Sequence, residues 1–161
     1  MIRFCFNVHQ SQPGETAVFP VQCEKPAPLR VRLYMPWTYQ PDEKPKRKHH
    51  WDNTFAGFVA LGGRKVGKCP KNFDPVLATS LLNAGINFFP HRWVPKYPQR
   101  IYIVHQGVLY RASPTVPGIS YHGYPETGQE YRRLPIDIRD KIISVATTKG
   151  CLPQLEKWLN Q

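Results

Sequence analysis

Two short apolar segments, residues 101–104 and 108–112, narrow the choice of fold more than any other feature of the sequence. Both are rich in β-branched and aromatic residues, which is typical of strands. Gln106-Gly107 lies between them, and a short connection that ends in glycine is typical of a tight hairpin turn. Residues 119–124 indicate a third strand, so this part of the chain is predicted to form an antiparallel meander.

Three helices are expected around this meander. Asp74 is predicted to cap the first, Pro75 to occupy its first turn and Gly85 to end it in the left-handed conformation. The inward face of this helix is predicted to consist of Val76, Leu77, Leu81 and Leu82. Apolar residues at helical spacing predict two more helices, at residues 136–148 and 152–159.

The N-terminal half is predicted to contain strands at residues 2–8, 16–23, 29–35 and 54–61, the last of them buried. Residues 86–99, rich in aromatic residues and proline, are expected to be an irregular connection. This order of elements predicts an α+β fold. Its parts are a mainly antiparallel sheet with one central helix, two C-terminal helices and a Pro-rich basic loop in the N-terminal half.

The length of the chain sets the expected domain organisation. At 161 residues, a single domain spanning residues 1–161 is expected. Residues 36–53 are predicted to be an exposed basic loop or arm, because prolines and a Lys-Pro-Lys-Arg-Lys run interrupt regular structure there.

The apolar runs and the cysteines set the expected location. No apolar run approaches the ~18 residues of a membrane span, and the N-terminus lacks the apolar core of a signal peptide. We therefore expect a cytoplasmic protein with no membrane partner. Its widely spaced cysteines are expected to stay reduced.

The chain carries a strong excess of positive charge, with 22 Lys+Arg against 11 Asp+Glu and a formal net charge of +11. Basic residues concentrate in residues 41–72, and residues 75–125 contain no Asp or Glu. Such an imbalance predicts an anionic partner. Nucleic acid is the leading candidate, and an acidic protein, as a partner or an inhibitor, is the alternative. The side chains predicted to contact nucleic acid are Lys46, Arg47, Lys48, Trp51, Arg64, Lys65, Lys68, Arg92, Trp93, Lys96 and Arg100.

Residues 62–69 (Gly-Gly-Arg-Lys-Val-Gly-Lys-Cys) match the phosphate-loop pattern G-x-x-x-x-G-K except at its end. Cys69 stands where that loop needs a Ser or Thr hydroxyl for Mg²⁺, and Pro70 follows before any helix begins. The segment is therefore predicted to be a basic, Gly-rich hairpin whose backbone and lysines can contact phosphates. His49 and His50 are expected to be exposed members of the basic arm.

Residues 100–125 combine His, Tyr and Arg in a segment without acidic residues. Cleavage of RNA without a metal needs a base with a pKa near 7 for the 2′-OH proton and cations for the charged phosphate. The residues predicted to supply this chemistry are His122, His105, Arg111 and Tyr124, with further cations at Arg132 and Arg133. In the competing interpretation these histidines are hydrogen-bonded strand residues or simple phosphate contacts. No cofactor and no metal ligand set is predicted.

A helix followed by an antiparallel meander, basic and rich in Tyr, His and Arg, resembles the barnase/EndoU/colicin/RelE-like class of ribonuclease toxin domains. The likeness is one of layout and covers residues 73–125. Because that segment lacks a glutamate to act as general base, the resemblance implies a version of the mechanism that uses His, Arg and Tyr.

Three functions stay open from the sequence. The first is a metal-independent ribonuclease or toxin-like effector, with RNA more expected than DNA as its substrate. The second is a non-catalytic nucleic-acid-binding accessory protein. The third is an interaction subunit of a protein or nucleoprotein assembly.

Overall fold

The computed structural model describes residues 37–41, 48–89 and 96–161. These residues belong to one compact unit, Tyr34–Gln161. A single domain over the whole chain stays a prediction. Outside the described residues lie the predicted strands at 2–8, 16–23 and 29–35 and four predicted nucleic-acid contacts, Lys46, Arg47, Arg92 and Trp93.

Along the described part of the chain, three strands precede one helix, four further strands follow it, and three helices come last. The strands are β1 (Thr38–Tyr39), β2 (Gly57–Leu61), β3 (Arg64–Lys68), β4 (Ile86–Phe88), β5 (Arg100–His105), β6 (Val108–Val116) and β7 (Ser120–Pro125). The helices are α1 (Pro75–Asn83), α2 (Gly128–Arg132), α3 (Ile136–Thr148) and α4 (Leu152–Leu159). This content, with a mainly antiparallel sheet, confirms the predicted α+β class.

The large sheet has five strands in the order β1–β7–β6–β5–β4. Strands β4 to β7 form an antiparallel meander, while β1 pairs with β7 in parallel. Gln106 and Gly107 make the turn between β5 and β6, with φ values of 51° and 74°. Both are therefore left-handed, as the mirror-image hairpin turn requires. Strands β2 and β3 form a separate antiparallel hairpin that turns at Gly62 and Gly63.

Different helices cover the two faces of the large sheet. Helices α3 and α4 pack on one face. The buried residues of that core are Tyr102, Val104, Leu109, Leu134, Ile138, Ile142, Ala146, Leu155, Trp158 and Leu159. Helix α1 packs on the other face, and the core there consists of Cys69, Leu82, Ile101, Ile103, Tyr110, Ala112 and Tyr121. The side chains of β5 and β6 thus alternate between two cores.

The helix bounds agree closely with those expected from the sequence. Helices α3 and α4 span the predicted residues. Helix α1 begins as predicted, because the Asp74 carboxylate accepts the backbone N–H groups of Val76 and Leu77. None of the helices in the described ranges is long and apolar enough to cross a bilayer.

The predicted buried face of α1 is partly wrong: Leu82 is buried and Leu81 packs against the core, as predicted, but Val76 and Leu77 are exposed. Ala78 and Leu82 are buried, whereas Val76 is 77% exposed. The small side chain of Ala78 lets the helix pack closely on the sheet. Hydrophobicity alone does not reveal which side of a helix faces the sheet. Gly85 also differs from its predicted role, because it is not left-handed. It is needed for space instead, since a Cβ there would lie 2.4 Å from Cγ2 of Ile101.

Three predicted segments differ from the structure. The expected irregular connection at 86–99 begins with β4, and the expected loop at 36–53 contains β1. In the latter, two prolines flank Trp-Thr-Tyr, which are good strand formers that the edge of β7 can pair with. The strand predicted at 54–61 begins at Gly57, and its outer end is exposed, with Leu61 63% exposed.

Candidate functional site

A group of polar side chains lies on the sheet face that carries α3 and α4. Tyr102, Arg111 and Tyr124 are direct cross-strand neighbours on β5, β6 and β7. Because side chains alternate along a strand, Arg100 and His122 share this face with them. We call these five residues the polar face. Tyr102 is buried, and the other four are partly exposed.

Arg111 is the centre of the polar face. Its Nη1 lies 2.9 Å from Oε2 of Glu126. Its Nε donates to the Tyr124 hydroxyl oxygen at 2.9 Å, and its Nη2 donates to the same oxygen. Burial alone would lower the pKa of Arg111, but the Tyr124 hydrogen bond and the Glu126 charge outweigh burial, so this pKa lies above its ordinary value. Arg111 is therefore a firmly held cation.

Glu126 is the acidic member of the site and is only 4% exposed. Its Oε1 accepts the backbone N–H of Thr127 at 3.0 Å, while Oε2 faces Arg111. Burial raises the pKa of Glu126 above its ordinary value, although Arg111 and the Thr127 N–H favour the charged form. Its carboxylate acts on neighbouring protein groups rather than at the surface.

Two histidines stack beside the Tyr124 ring. The His49 ring lies 4.2 Å from it, centroid to centroid, and the two planes differ by 8°. The His122 ring lies 5.9 Å from the Tyr124 ring and 6.4 Å from the His49 ring. Nδ1 of His122 lies 3.1 Å from the Thr115 hydroxyl. A hydrogen bond at one ring nitrogen fixes the tautomer and orientation of the ring. Because Nδ1 faces Thr115, Nε2 is the His122 nitrogen that can contact a substrate.

The segment that carries His49 is held on β3. Nδ1 of His49 lies 2.8 Å from the Gly67 carbonyl oxygen, and the Cys69 N–H donates to the His49 carbonyl at 2.7 Å. The Lys68 ammonium donates to two further carbonyls, those of Lys48 and His50. The prediction that His49 is exposed in the basic arm is therefore wrong, because β3 and Tyr124 half-bury it.

Strand β3 reaches β7 because residue 67 is a glycine. A Cβ there would lie 2.1 Å from the Pro125 carbonyl oxygen, well inside the 3.4 Å at which ordinary contact begins. This close approach brings His49 to Tyr124 from a distant part of the chain.

The structure brings together three of the predicted catalytic residues, Arg111, His122 and Tyr124, but not His105. His105 ends β5 beside the turn, and its ring lies 5.9 Å from that of Phe73, which packs on the α1 side of the sheet. Burial, with a smaller effect of the Lys149 charge, lowers the pKa of His105 below its ordinary value.

The additional cations Arg132 and Arg133 belong to a different part of the molecule. Nη1 of Arg132 lies 3.4 Å from the Leu159 carbonyl oxygen, at the end of α4. Arg133 forms an exposed ion pair with Glu130, one turn earlier. Their partners lie at the end of α4 and within α2 rather than on the polar face.

The predicted nucleic-acid contacts divide according to their environment. Arg64 and Lys65 are exposed at the tip of the β2–β3 hairpin, and Lys48 and Lys96 are also exposed. Arg100 lies on the polar face, with Nη1 3.5 Å from the Tyr102 hydroxyl. These five cations can reach a bound polyanion.

Trp51 and Lys68 have contacts within the protein. The Trp51 indole N–H donates to the Phe55 carbonyl at 2.9 Å, and its ring occupies the space that a Cβ on Gly57 would need. The Lys68 ammonium holds the His49 segment, as described above. Their contacts give these two residues a structural role, whether or not they also touch nucleic acid.

Sequence reasoning missed Glu126 and His49 as members of the site. The alternation of β7 contains a signal for Glu126, because it follows His122 and Tyr124 at the same two-residue spacing. No local pattern marks His49, whose position depends on contacts with β3 and β7.

The described ranges contain no group of three or more His, Cys, Asp or Glu side chains placed to hold a metal ion. Comparisons with protein-family models, curated proteins and solved structures found no significant match to this chain. The function is therefore inferred from the chemistry of the polar face.

Proposed function

We propose that the polar face binds RNA and cleaves it without a metal ion. The observation that carries this proposal is the convergence of His122, Tyr124 and Arg111 on one partly exposed surface, with Arg100 beside them. A base, a proton donor and cations are the groups that this cleavage requires.

The chemistry uses the 2′-hydroxyl of the substrate as the nucleophile. Nε2 of His122 takes the 2′-OH proton while the oxygen attacks the adjacent phosphorus. The bond from phosphorus to the 5′-oxygen then breaks, and Tyr124 gives its proton to that leaving oxygen. The products are a 2′,3′-cyclic phosphate and a free 5′-hydroxyl. DNA has no 2′-hydroxyl, so the proposal specifies RNA as the substrate.

Charge on the pentavalent phosphate is met by guanidinium groups. Arg111 is held beside the Tyr124 oxygen, and Arg100 lies on the neighbouring strand. Fixed cations next to the place where charge develops stabilise a transition state more than mobile ones do. Arg64 and Lys65 on the hairpin would hold more distant phosphates of the same strand.

The test is an incubation of purified protein with total cellular RNA and, separately, with DNA, each in excess EDTA. We expect RNA fragments that end in a 2′,3′-cyclic phosphate, and intact DNA. His122→Ala should lower the cleavage rate by about 10²-fold or more. His105→Ala is the matched control and should keep the activity, because His105 lies on the other side of the sheet.

The other outcomes separate the remaining functions. Intact RNA that is retarded in a gel, with affinity falling as salt rises from ~50 to ~200 mM, would contradict cleavage and identify a non-catalytic binding protein. Absence of RNA binding together with a co-purifying acidic protein would identify an interaction subunit.

We also propose that such an activity makes the protein a toxin-like effector of cytoplasmic RNA. Expression of the wild-type chain should then arrest growth and fragment cellular RNA, whereas His122→Ala should be tolerated at the same protein level. Equal growth with both proteins would contradict this role without affecting the cleavage assay.

A further inference from the structure

Glu126 is the one carboxylate that contacts the polar face among the described residues, and the cleavage chemistry above does not use it. It lies two residues beyond Tyr124, is buried, and faces Nη1 of Arg111. Placing a carboxylate in such a position is costly unless it is paired. Its pairing with Arg111 is therefore the contact through which Glu126 can influence the polar face.

Arg111 links Glu126 to Tyr124. The guanidinium is a planar group whose N–H donors have a fixed geometry. Nη1 forms an ion pair with Oε2 of Glu126 at 2.9 Å, while Nε and Nη2 donate hydrogen bonds to the Tyr124 hydroxyl oxygen. The charge of the carboxylate holds the guanidinium on the Glu126 side, and Nε and Nη2 then face the Tyr124 hydroxyl. Arg111 without Glu126 would keep its charge and lose this orientation.

The Tyr124 hydroxyl is oriented in turn. Its oxygen accepts from two N–H groups of Arg111, so its own proton must point to a different acceptor. We propose that Glu126 is a positioning residue, which fixes Arg111 so that Tyr124 donates its proton away from the protein interior and toward a bound RNA strand. This inference rests on the proposed cleavage function.

Glu126 itself is excluded as the general base by its burial. At 4% exposed, with Oε1 bonded to the Thr127 N–H, its carboxylate does not reach a ribose hydroxyl. A role through Arg111 and Tyr124 is the one that its contacts allow.

Glu126→Gln is a suitable variant for the test. Glutamine keeps the shape and the oxygen that accepts the Thr127 N–H. Burial raises the pKa of Glu126, which means that the site favours an uncharged side chain more than water does. The uncharged glutamine variant is therefore expected to fold. Glu130→Gln is the matched control, since Glu130 pairs with Arg133 away from the polar face.

The activity test is a double-mutant cycle with Glu126→Gln and Tyr124→Phe. We expect Glu126→Gln to lower kcat by about 10²-fold, as loss of orientation does, with KM nearly unchanged. In the Tyr124→Phe protein, where the proton donor is already absent, adding Glu126→Gln should lower kcat by no more than about threefold. Additive losses in the cycle would overturn the inference, as would equal activity of Glu126→Gln and Glu130→Gln.

Arg111→Lys gives a second test with the charge retained. Lysine can pair with Glu126 but lacks the second edge that bonds to Tyr124. We expect its kcat loss to match that of Glu126→Gln or exceed it. Wild-type activity in Arg111→Lys would show that orientation of a guanidinium is not required.

A measurement on the protein alone separates failure of the inference from failure of the cleavage function. The Nε–H of Arg111, observed by NMR, should exchange slowly with water in the wild-type protein and in Glu130→Gln. Exchange should be at least tenfold faster in Glu126→Gln and in Tyr124→Phe. Unchanged exchange in Glu126→Gln would overturn the positioning role even if RNA is cleaved. Faster exchange in a protein without RNase activity would instead refute only the cleavage proposal.

Discussion

Replacing Gly67 by alanine is expected to disturb the contact on which the site depends. The new Cβ would lie 2.1 Å from the Pro125 carbonyl oxygen, and ordinary contact begins at 3.4 Å, so β3 and β7 must separate by about 1.3 Å (3.4 minus 2.1). One atom in this clash is the new Cβ and the other is a backbone oxygen, and rotation of a side chain moves neither of them.

The expected loss of stability follows from a comparison with a second glycine that has more space around it. Overpacking a close contact costs about 1–3 kcal/mol, and Gly→Ala restricts the unfolded chain in a way that returns about 0.4–1 kcal/mol. Gly123, on β7, provides the control, because a Cβ there would make its nearest contact at 3.8 Å. The unfolded-state contribution is common to both, so Gly67→Ala should be less stable than Gly123→Ala by about 1–3 kcal/mol.

Urea unfolding followed by tryptophan fluorescence measures this difference. The two variants should show different midpoints with the same dependence on urea. Gly67→Ala should also lower the proposed RNase activity more than Gly123→Ala does, because separating β3 from β7 removes the stacked His49 ring from Tyr124, the proposed proton donor. Equal stability within ~0.5 kcal/mol would refute the close approach of β3 to β7 as the reason for the glycine.

Three further predictions concern other parts of the molecule. The double variant Arg64→Gln/Lys65→Gln should weaken RNA binding and leave kcat unchanged. The slope of log affinity against log salt should fall by about 1.4, or 0.7 for each lost phosphate contact. An unaltered slope would show that RNA does not contact these two residues. Burial, then Lys149, lowers the pKa of His105, so the unfolded chain binds more protons just below pH 6.5. Stability should therefore fall as pH falls through that region, and His105→Gln should flatten the fall in urea titrations at several pH values. Gly128→Ala should destabilise the fold by about 1–3 kcal/mol or more, since its Cβ would lie 1.7 Å from a backbone oxygen of α4; a melting temperature equal to the wild type would contradict this.

Local sequence signals predicted much of the fold. Helices α3 and α4 have the predicted bounds because their apolar spacing is regular and short turns separate them. Helix α2 was not predicted, although Thr127 and Glu130 have the spacing of a capping box, and the Thr127 hydroxyl does accept the Glu130 N–H. Strands of two or three residues, such as β1 and β4, have too little pattern to be recognised alone.

The site was only partly predictable. Arg111, His122 and Tyr124 lie on neighbouring strands, and alternation along β6 and β7 is enough to place them on one face. His49 joins them through tertiary contacts that no spacing reveals. His105 also lies in a strand of the meander, but two-residue periodicity directs its side chain to the opposite core from His122.

The order of strands has a consequence for how the protein becomes active. The β4–β7 meander closes only short loops, whereas Ser120 and Gln40, whose side chains bond between β7 and the end of β1, are 80 residues apart. Long loops close late in folding, because the chain loses conformational entropy before the long-range contacts that stabilise the loop can form. We therefore expect the β1 and His49 segments to dock last in folding, so that backbone circular dichroism recovers before RNase activity during refolding. Simultaneous recovery would contradict this order. If the order holds, the proposed cleavage of RNA begins only after the final contacts of a newly made chain form.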